Sequence, residues 1–329
     1  MRRSAIVILV LLIPAILSGC AGNFELDREL IVEAVGIDLR DGRILLTLQA
    51  LDAESHPAGK EGSSDGSVTA VWKASGATVS EAAEKIASDS GKSIAFSQNR
   101  VRTLGKTAAG PMRETLDFFL RSYQFRNGCL LAFADSAEAV VCAETGGGRI
   151  PAVRLQKILE TGGVSGQCAP VRLCDFVNRL DSGGAFAPTV GLNDKKEPTL
   201  VGTALFRDDA LCGTLNENET QLLSILTCRA KNGAMTVEGA NGTIALDLLR
   251  SAPVRKNGEL LEVRCFCDTA EAVGSVTASA AAREQAAEGN LTRRAKALVE
   301  KLYARGIRLP AFLREDAPPE VRFRVTVRR

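Results

Sequence analysis

Histidine is nearly missing from this sequence: His56 is the only one in 329 residues. A Ser-His-Asp or Cys-His catalytic arrangement would have to be built on it. His56 is followed by Pro57 in a polar stretch, with no positioned acid or nucleophile beside it, and it reads as a solvated loop residue. Aromatic side chains are scarce, 5% of the chain with Trp72 as the single tryptophan. That excludes a stacking platform for single-stranded nucleic acid and disfavours a carbohydrate-binding surface. No C-x-x-C pair occurs, so a zinc site lacks ligands. Net charge is nearly absent as well. The formal +2 is accounted for by Arg2 and Arg3, because residues 1–19 contain no Asp or Glu. The remainder is close to neutral, without a nucleic-acid footprint or a basic patch for anionic lipid. There is no G-x-S-x-G. Ser90-Gly91-Lys92-Ser93 resembles the end of a P-loop, but the first glycine of that motif would stand at Ile86, inside a helix. Asp208-Asp209 and Glu315-Asp316 sit at turns and read as solvated. No catalytic, cofactor-binding or metal-binding residue is assigned, and the chain does not read as an enzyme.

What is present begins at the N-terminus. Arg2 and Arg3 precede an apolar run from Ala5 to Leu17, broken by Pro14. The run is shorter than the roughly 20 residues a membrane-spanning helix needs and has the size of a signal-peptide apolar region. It ends in Leu17-Ser18-Gly19-Cys20, which resembles a bacterial lipobox. Cleavage is expected between Gly19 and Cys20. The Cys20 thiol then carries a diacylglyceryl group, and the freed amino group can take a further acyl chain. Each buried CH₂ contributes about 0.8 kcal/mol, so two or more chains hold stably where one holds marginally. No later stretch approaches about 18 uninterrupted apolar residues, so the lipid is the expected anchor. Eight further cysteines follow: Cys129, Cys142, Cys168, Cys174, Cys212, Cys228, Cys265 and Cys267. An even number outside the cytoplasm permits disulfides, with the pattern left open. Cys265 and Cys267 lie side by side on one strand face, a poor geometry for bridging each other.

Apolar residues make up 45% of the chain, enough for real cores. Strands are predicted at Leu30–Leu39 and Ile44–Ala50, joined across Asp41-Gly42. A flexible polar loop is expected over 52–67, then a strand over 68–74. Thr78 and Glu81 form a capping box for a helix whose buried face is Val79, Ala82, Ala83 and Ile86, with Gly91 as its stop. Then come a strand at 101–104, an amphipathic helix at 111–121, a strand at 130–134 and helices at 137–142, 153–160 and 173–180. Residues 146–148 form a turn or linker, and Gly191 to Pro198 reads as polar and turn-rich, so a domain boundary is placed near residue 197. Beyond it lie a hairpin (200–206 and 211–215) and a helix from Glu217 to Cys228, capped by Asn216 with Glu219. Strands follow at 235–238, 243–249 and 260–267, then a helix at 291–305. At the end Val321, Phe323, Val325 and Val327 alternate with Arg322, Arg324 and Thr326, a half-buried strand. Strands and helices interleave without a regular βαβ rhythm. The expected fold is α+β, with mixed β-sheets and packed helices in at least two domains: signal peptide 1–19, then 20–197 and 198–329.

Several stretches, in order, carry a resemblance. They are Asp27-Arg28-Glu29-Leu30 with Val35-Gly36-Ile37-Asp38, Gly76-Ala77-Thr78, Gly91 to Phe96, and Gly105. Leu116-Asp117-Phe118-Phe119-Leu120-Arg121 and Phe125-Arg126 come next, then Gly202 to Phe206, Gly213 to Asn216 and Glu219-Thr220. Together they resemble the Ger(x)C family of spore germination lipoproteins over nearly all of the chain after Cys20. The departures are Ala21-Gly22 where many relatives have Trp-Asp, Gln98 or Asn99 where many have histidine, a shorter C-terminal half, and a blurred motif around Arg308 to Phe312. The resemblance implies a lipid-anchored, non-catalytic C subunit of a nutrient germinant receptor. Its partners would be the integral membrane A and B subunits, at the inner spore membrane on the extracytoplasmic face. A lipid-anchored solute-binding protein of a transporter is the alternative.

Overall fold

The computed structural model describes residues 28–51, 69–110, 112–121, 128–143, 150–227, 230–239, 242–256, 259–274, 279–312 and 316–328. Gly19, Cys20, the leader, His56 and its loop, the glycines at 146–148 and Cys228 lie outside the described residues.

Strand β1 (Glu29–Arg40) is the axis of the first sheet. Its middle is buried at seven consecutive positions, from Val32 to Asp38, as expected of a strand covered on both faces. It pairs antiparallel with β2 (Arg43–Leu51) through a tight turn. Asp41 and Gly42 both adopt positive φ there, 53° and 71°. That conformation matches the strand twist and explains the Asp-Gly pair. Beyond β2 lies β3 (Thr69–Gly76).

The chain then forms α1 (Val79–Ser90), β4 (Ser93–Ala95), β5 (Val101–Gly105), α2 (Met112–Arg121), β6 (Leu130–Ala134) and α3 (Ala137–Val141). These are followed by α4 (Pro151–Ser165), β7 (Val171–Arg172), α5 (Leu173–Gly183), β8 (Ala185–Leu192), β9 (Pro198–Arg207) and β10 (Ala210–Leu215). Among the described residues these strands make a ten-stranded sheet in the order β10-β9-β8-β6-β5-β1-β2-β3, with β4 on β1 and β7 on β6. Pairing is parallel in the centre (β1, β5, β6, β8) and antiparallel towards both edges. Helices α1, α2 and α5 cover one face, packing Ile86, Phe119 and Phe176 with Leu30, Leu46 and Leu48 of the sheet. Helices α3 and α4 cover the other, packing Val140, Val141 and Leu159 with Ala34, Val101 and Ala132 of the sheet.

The rest of the chain is α6 (Glu217–Thr227), β11 (Gly233–Gly239), β12 (Gly242–Lys256), β13 (Leu260–Gly274), α7 (Ala280–Ala304) and β14 (Glu320–Val327). A second sheet runs β11-β12-β13-β14, parallel between β13 and β14 and antiparallel elsewhere. Its inner face packs on α6 and α7 and merges with Phe186, Leu205 and Leu215 of the first sheet.

Helix α7 closes both edges of this sheet. The N–H groups of Phe323, Val325 and Val327 donate to Thr292 Oγ1 (3.0 Å), Glu288 Oε1 (3.0 Å) and Glu284 Oε1 (2.8 Å). Four helix residues rise about 6.0 Å and two strand residues about 6.6 Å, so the two ladders stay in step. On the other edge Asn290 Nδ2 and Arg294 Nη1 donate to the carbonyls of Glu238 (3.2 Å) and Thr236 (3.1 Å).

The α+β class with mixed sheets is as expected from the sequence. The details that differ include the following. Ala185–Leu192 is a strand, although Pro188, Gly191 and the alanines give it little strand character. The polar stretch after it shrinks to residues 193–197, a turn in which Asn193 Oδ1 accepts from the N–H groups of Lys195 (2.9 Å) and Glu197 (3.0 Å). Residue 197 falls in this turn, and the hairpin beyond it completes the first sheet. Helix α7 starts at Ala280 instead of Leu291, because its first turns meet β14 through glutamates and not through an apolar stripe.

Candidate functional site

Three of the residues that carried the family resemblance, Gly36, Asp38 and Gly105, gather around the short helix α3. Gly36 lies under it: a Cβ there would stand 3.0 Å from the Ala137 carbonyl oxygen and 3.1 Å from Val141 Cγ2. The helix can therefore rest directly on the sheet. The buried Asp38 carboxylate accepts the N–H groups of Ala137 (3.1 Å) and Glu138 (2.7 Å), donors that a helix start leaves open. Gly105 makes room for it, since a Cβ there would fall 1.7 Å from Asp38 Oδ1. At the other end Gln49 Nε2 donates to the Val141 carbonyl (3.1 Å), and its Oε1 accepts the Ala152 N–H (2.8 Å) at the start of α4. One glutamine thus ties the end of α3 to the beginning of α4. On the outside Glu138 meets Lys73 and Arg40, each at 2.8 Å. The hydrogen bond from Lys73 is the main reason its carboxyl sits below the usual range.

A second buried node lies further along β1. Glu33 stands at a bulge between Val32 and Ala34 and is ion-paired with Arg100. Arg100 also donates to Gln156 on α4 (3.2 Å). Asn99 Nδ2 donates to the carbonyls of Glu33 and Val101. The remaining motif residues are caps and close approaches too. Thr78 Oγ1 accepts from the Glu81 N–H, and Glu81 Oε2 accepts from the Ala77 N–H. Gly91 ends α1 in the left-handed region (φ 67°), which is the helix-stop reading of Ser90-Gly91-Lys92-Ser93. Asp117 and Arg121 pair at 2.6 Å one turn apart. Asn216 and Glu219 cap α6 reciprocally. A Cβ on Gly202 would meet the Leu215 carbonyl oxygen at 2.3 Å, and Thr203 Oγ1 accepts from Thr220 Oγ1 (3.1 Å).

A cleft of about 1060 Å³ lies between α4 and the start of α6. Ile158 and Leu200 are among its apolar lining, with Lys157 on the α4 wall and Glu217 on the α6 wall. Sequence reasoning named none of these as site residues, because nothing local marks a cleft assembled from distant segments.

Reactive groups are not gathered here. Among the described residues no three His, Cys, Asp or Glu side chains are placed to hold a metal. The seven described cysteines are free thiols. Burial pushes the Cys267 thiol up to about 12 and Cys265 higher still, so both stay protonated and unreactive. The chain is described from Arg28, eight residues after Cys20, and the Arg28 carbonyl accepts from Ser93 Oγ (3.3 Å) beside the start of β1. No described helix is long and apolar enough to cross a membrane.

The described geometry is that of an α+β protein whose motif residues hold helices onto sheets. Comparison with known proteins agrees in kind. The family described as "Spore germination protein N-terminal domain" matches residues 23–192, and "Spore germination B3/ GerAC like, C-terminal" matches residues 201–259. The crystal structure of the GerBC protein is similar at 19% identity with a TM-score of 0.49, covering 89% of this chain and 95% of its own. No curated protein matches. The chain belongs to the GerAC-like family of spore germination proteins, the C-subunit family of germinant receptors.

Proposed function

We propose that this protein is a lipid-anchored, non-catalytic C subunit of a nutrient germinant receptor, which assembles with the integral A and B subunits on the extracytoplasmic face of the inner spore membrane. The observation that carries this is the family match along both halves of the chain, in order. The leader ending in Leu17-Ser18-Gly19-Cys20 supports the anchor. In this reading residues 1–19 are removed, 20–197 forms the N-terminal domain, and 198–329 forms the C-terminal domain, whose first hairpin, β9–β10, completes the N-terminal sheet. Eight residues of extended chain reach at most about 28 Å, so Arg28 and the start of β1 stay close to the bilayer. The distal turn at Asp41-Gly42 then lies roughly 35 Å further along the strand.

Cys20→Ala is expected to release the folded protein from membranes of cells lacking the integral subunits. Mass spectrometry of the native N-terminus should find the acylated Cys20. An intact leader, or a variant that still pellets with those membranes, would refute the anchor. Recovery of the integral subunits with the tagged wild-type chain tests assembly. A second reading, a solute-binding protein, is favoured only by the cleft between α4 and α6. Strong thermal stabilisation of the chain by a nutrient solute would support it.

A further inference from the structure

The main paths of the two sheets end in the strands β3, β10, β11 and β14. A strand end of this kind offers unpaired backbone groups to any other chain, and proteins blunt it with bulges or covering side chains. On β14 and β11 the side chains of α7 do this. On β10 the register shifts between Leu211 and Gly213, and a Cβ on Gly213 would stand 2.8 Å from Arg305 Nε, so that side chain lies against the strand. Strand β3 has neither device over its middle. It pairs with β2 without a register shift, from Ile44 opposite Gly76 to Leu51 opposite Thr69. The Ser75 carbonyl accepts from Lys85 Nζ (2.9 Å) of α1 and so turns away from β2. Alternate residues of an antiparallel ladder turn both backbone groups the same way. Val71 and Lys73 therefore send N–H and C=O outward too, and among the described residues nothing meets these groups. Val71 is 41% exposed. Trp72 and Ala74, on the opposite side of the pleat, pack against the core.

We propose that β3 takes up an extended segment of an integral receptor subunit as a further strand. Main-chain hydrogen bonds to Val71 and Lys73 hold it, and an apolar residue of the segment continues the face of Trp72 and Ala74. The segment is recognised by its backbone and its alternation and not by charge, because Lys73, the one charged residue of β3, is already engaged by Glu138 at 2.8 Å. A second copy is the poorer occupant. The Thr69 end of β3 lies level with the start of β1, through Leu51 and Ile31, and that end leads back to Cys20. In the orientation proposed above, an antiparallel copy would stand inverted, with its tethered end raised and its Asp41-Gly42 turn aimed at the bilayer. A parallel copy, related by a two-fold along the strand, would set its Trp72 and Ala74 face beside the Val71 and Lys73 face of the other, and no shared core could form. A segment rising from the same bilayer meets β3 at its Thr69 end with neither conflict. One short added strand covers far less than the roughly 800 Å² per partner of a free-standing complex. The contact is therefore one of several in an assembly, and it rests on the receptor-subunit reading, which supplies the others.

Hydrogen exchange at single amides of the full, membrane-held chain, with and without the integral subunits, tests this. In the chain alone Val71 and Lys73 should exchange fast, while Trp72, bonded to β2, exchanges slowly. In the assembly Val71 and Lys73 should slow about tenfold or more, with Trp72 unchanged. Val71→Pro removes one outward N–H and spares the bonds to β2. It should lower recovery of the integral subunits about tenfold, the scale of a lost main-chain bond, with the thermal unfolding curve unchanged. Val71→Ala keeps the N–H and should recover them as the wild type does. Should Val71→Pro unfold, the exchange pattern of the wild type still decides. Amides that stay fast in the assembly would overturn the proposal, as would full recovery by a folded Val71→Pro. Protection that rises with the concentration of the chain alone would overturn it too, by making a second copy the occupant. If the integral subunits still co-purify with the wild type in those cases, only this edge is wrong. If they do not, the receptor-subunit reading falls with it.

Discussion

At the scale of single residues, the sharpest demands in this protein are for the absence of a side chain. Gly105 faces Asp38, and an added methyl would fall 1.7 Å from its carboxylate oxygen. The carboxylate cannot retreat, because both of its oxygens are bonded to the start of α3. Gly105→Ala should therefore destabilise the protein by about 1–3 kcal/mol, the usual range for overpacking. Gly110→Ala is the matched control, since nothing lies within 4 Å of a Cβ there, and urea unfolding of the two variants side by side measures the difference. Gly36, Asp38 and Gly105 were visible in the sequence as part of a resemblance. Their purpose was not, because each acts on a residue about 70 to 100 positions away. Gln49 was not visible at all: a glutamine in a strand carries no local mark of the two helix ends it joins.

At the scale of elements, α7 shows how an edge strand is kept from pairing with a foreign one. Its glutamates and threonine occupy three N–H groups of β14, on a spacing that helix and strand share. Replacing Glu284, Glu288 and Thr292 by alanine should cost about 1 kcal/mol or more for each N–H left without a protein acceptor. Hydrogen exchange at Phe323, Val325 and Val327 should speed up selectively, and concentration-dependent association should appear as the edge opens. Unchanged exchange at those three amides would show that the edge is protected in some other way. The sequence marks β14 clearly through strict alternation, and marks the last half of α7 through its apolar stripe. The first half of α7 escapes a periodicity search, because its contacts to the strand are polar.

At the scale of the whole molecule, carboxylates set the response to acid. Glu81 is held down from 4.5 to about 2, first by the hydrogen bond from Lys85 and then by the Ala77 N–H. Glu138 is lowered chiefly by Lys73, and Glu197 chiefly by Arg154. A carboxyl whose folded pKa is depressed binds its proton more readily in the unfolded chain. Its contribution is complete above the unfolded value near 4.5 and is lost as pH falls through the folded value. Stability should therefore change little just above pH 4.5 and decline between about 4.5 and 2, which melting curves across that window can check. Glu81→Gln should flatten that decline. Glu138–Lys73 ties α3 to β3 and Glu197–Arg154 ties α4 to the β8–β9 turn, while Glu81 also pairs with Arg43 of the β1–β2 hairpin, so acid loosens helices from the first sheet.

The sequence by itself determined the elements with strong local signals: the capped helices, the Asp-Gly hairpin and the alternating last strand. These are readable because cap, turn and period are set by residues within a few positions of one another. Only the tertiary structure decided that β9 and β10 complete the first sheet, that Asp38 and Gln49 clamp α3, and that α7 closes the second sheet at both edges. Those outcomes depend on long-range pairings between polar groups. No local pattern encodes them, because the partners are neighbours in space and not in the chain.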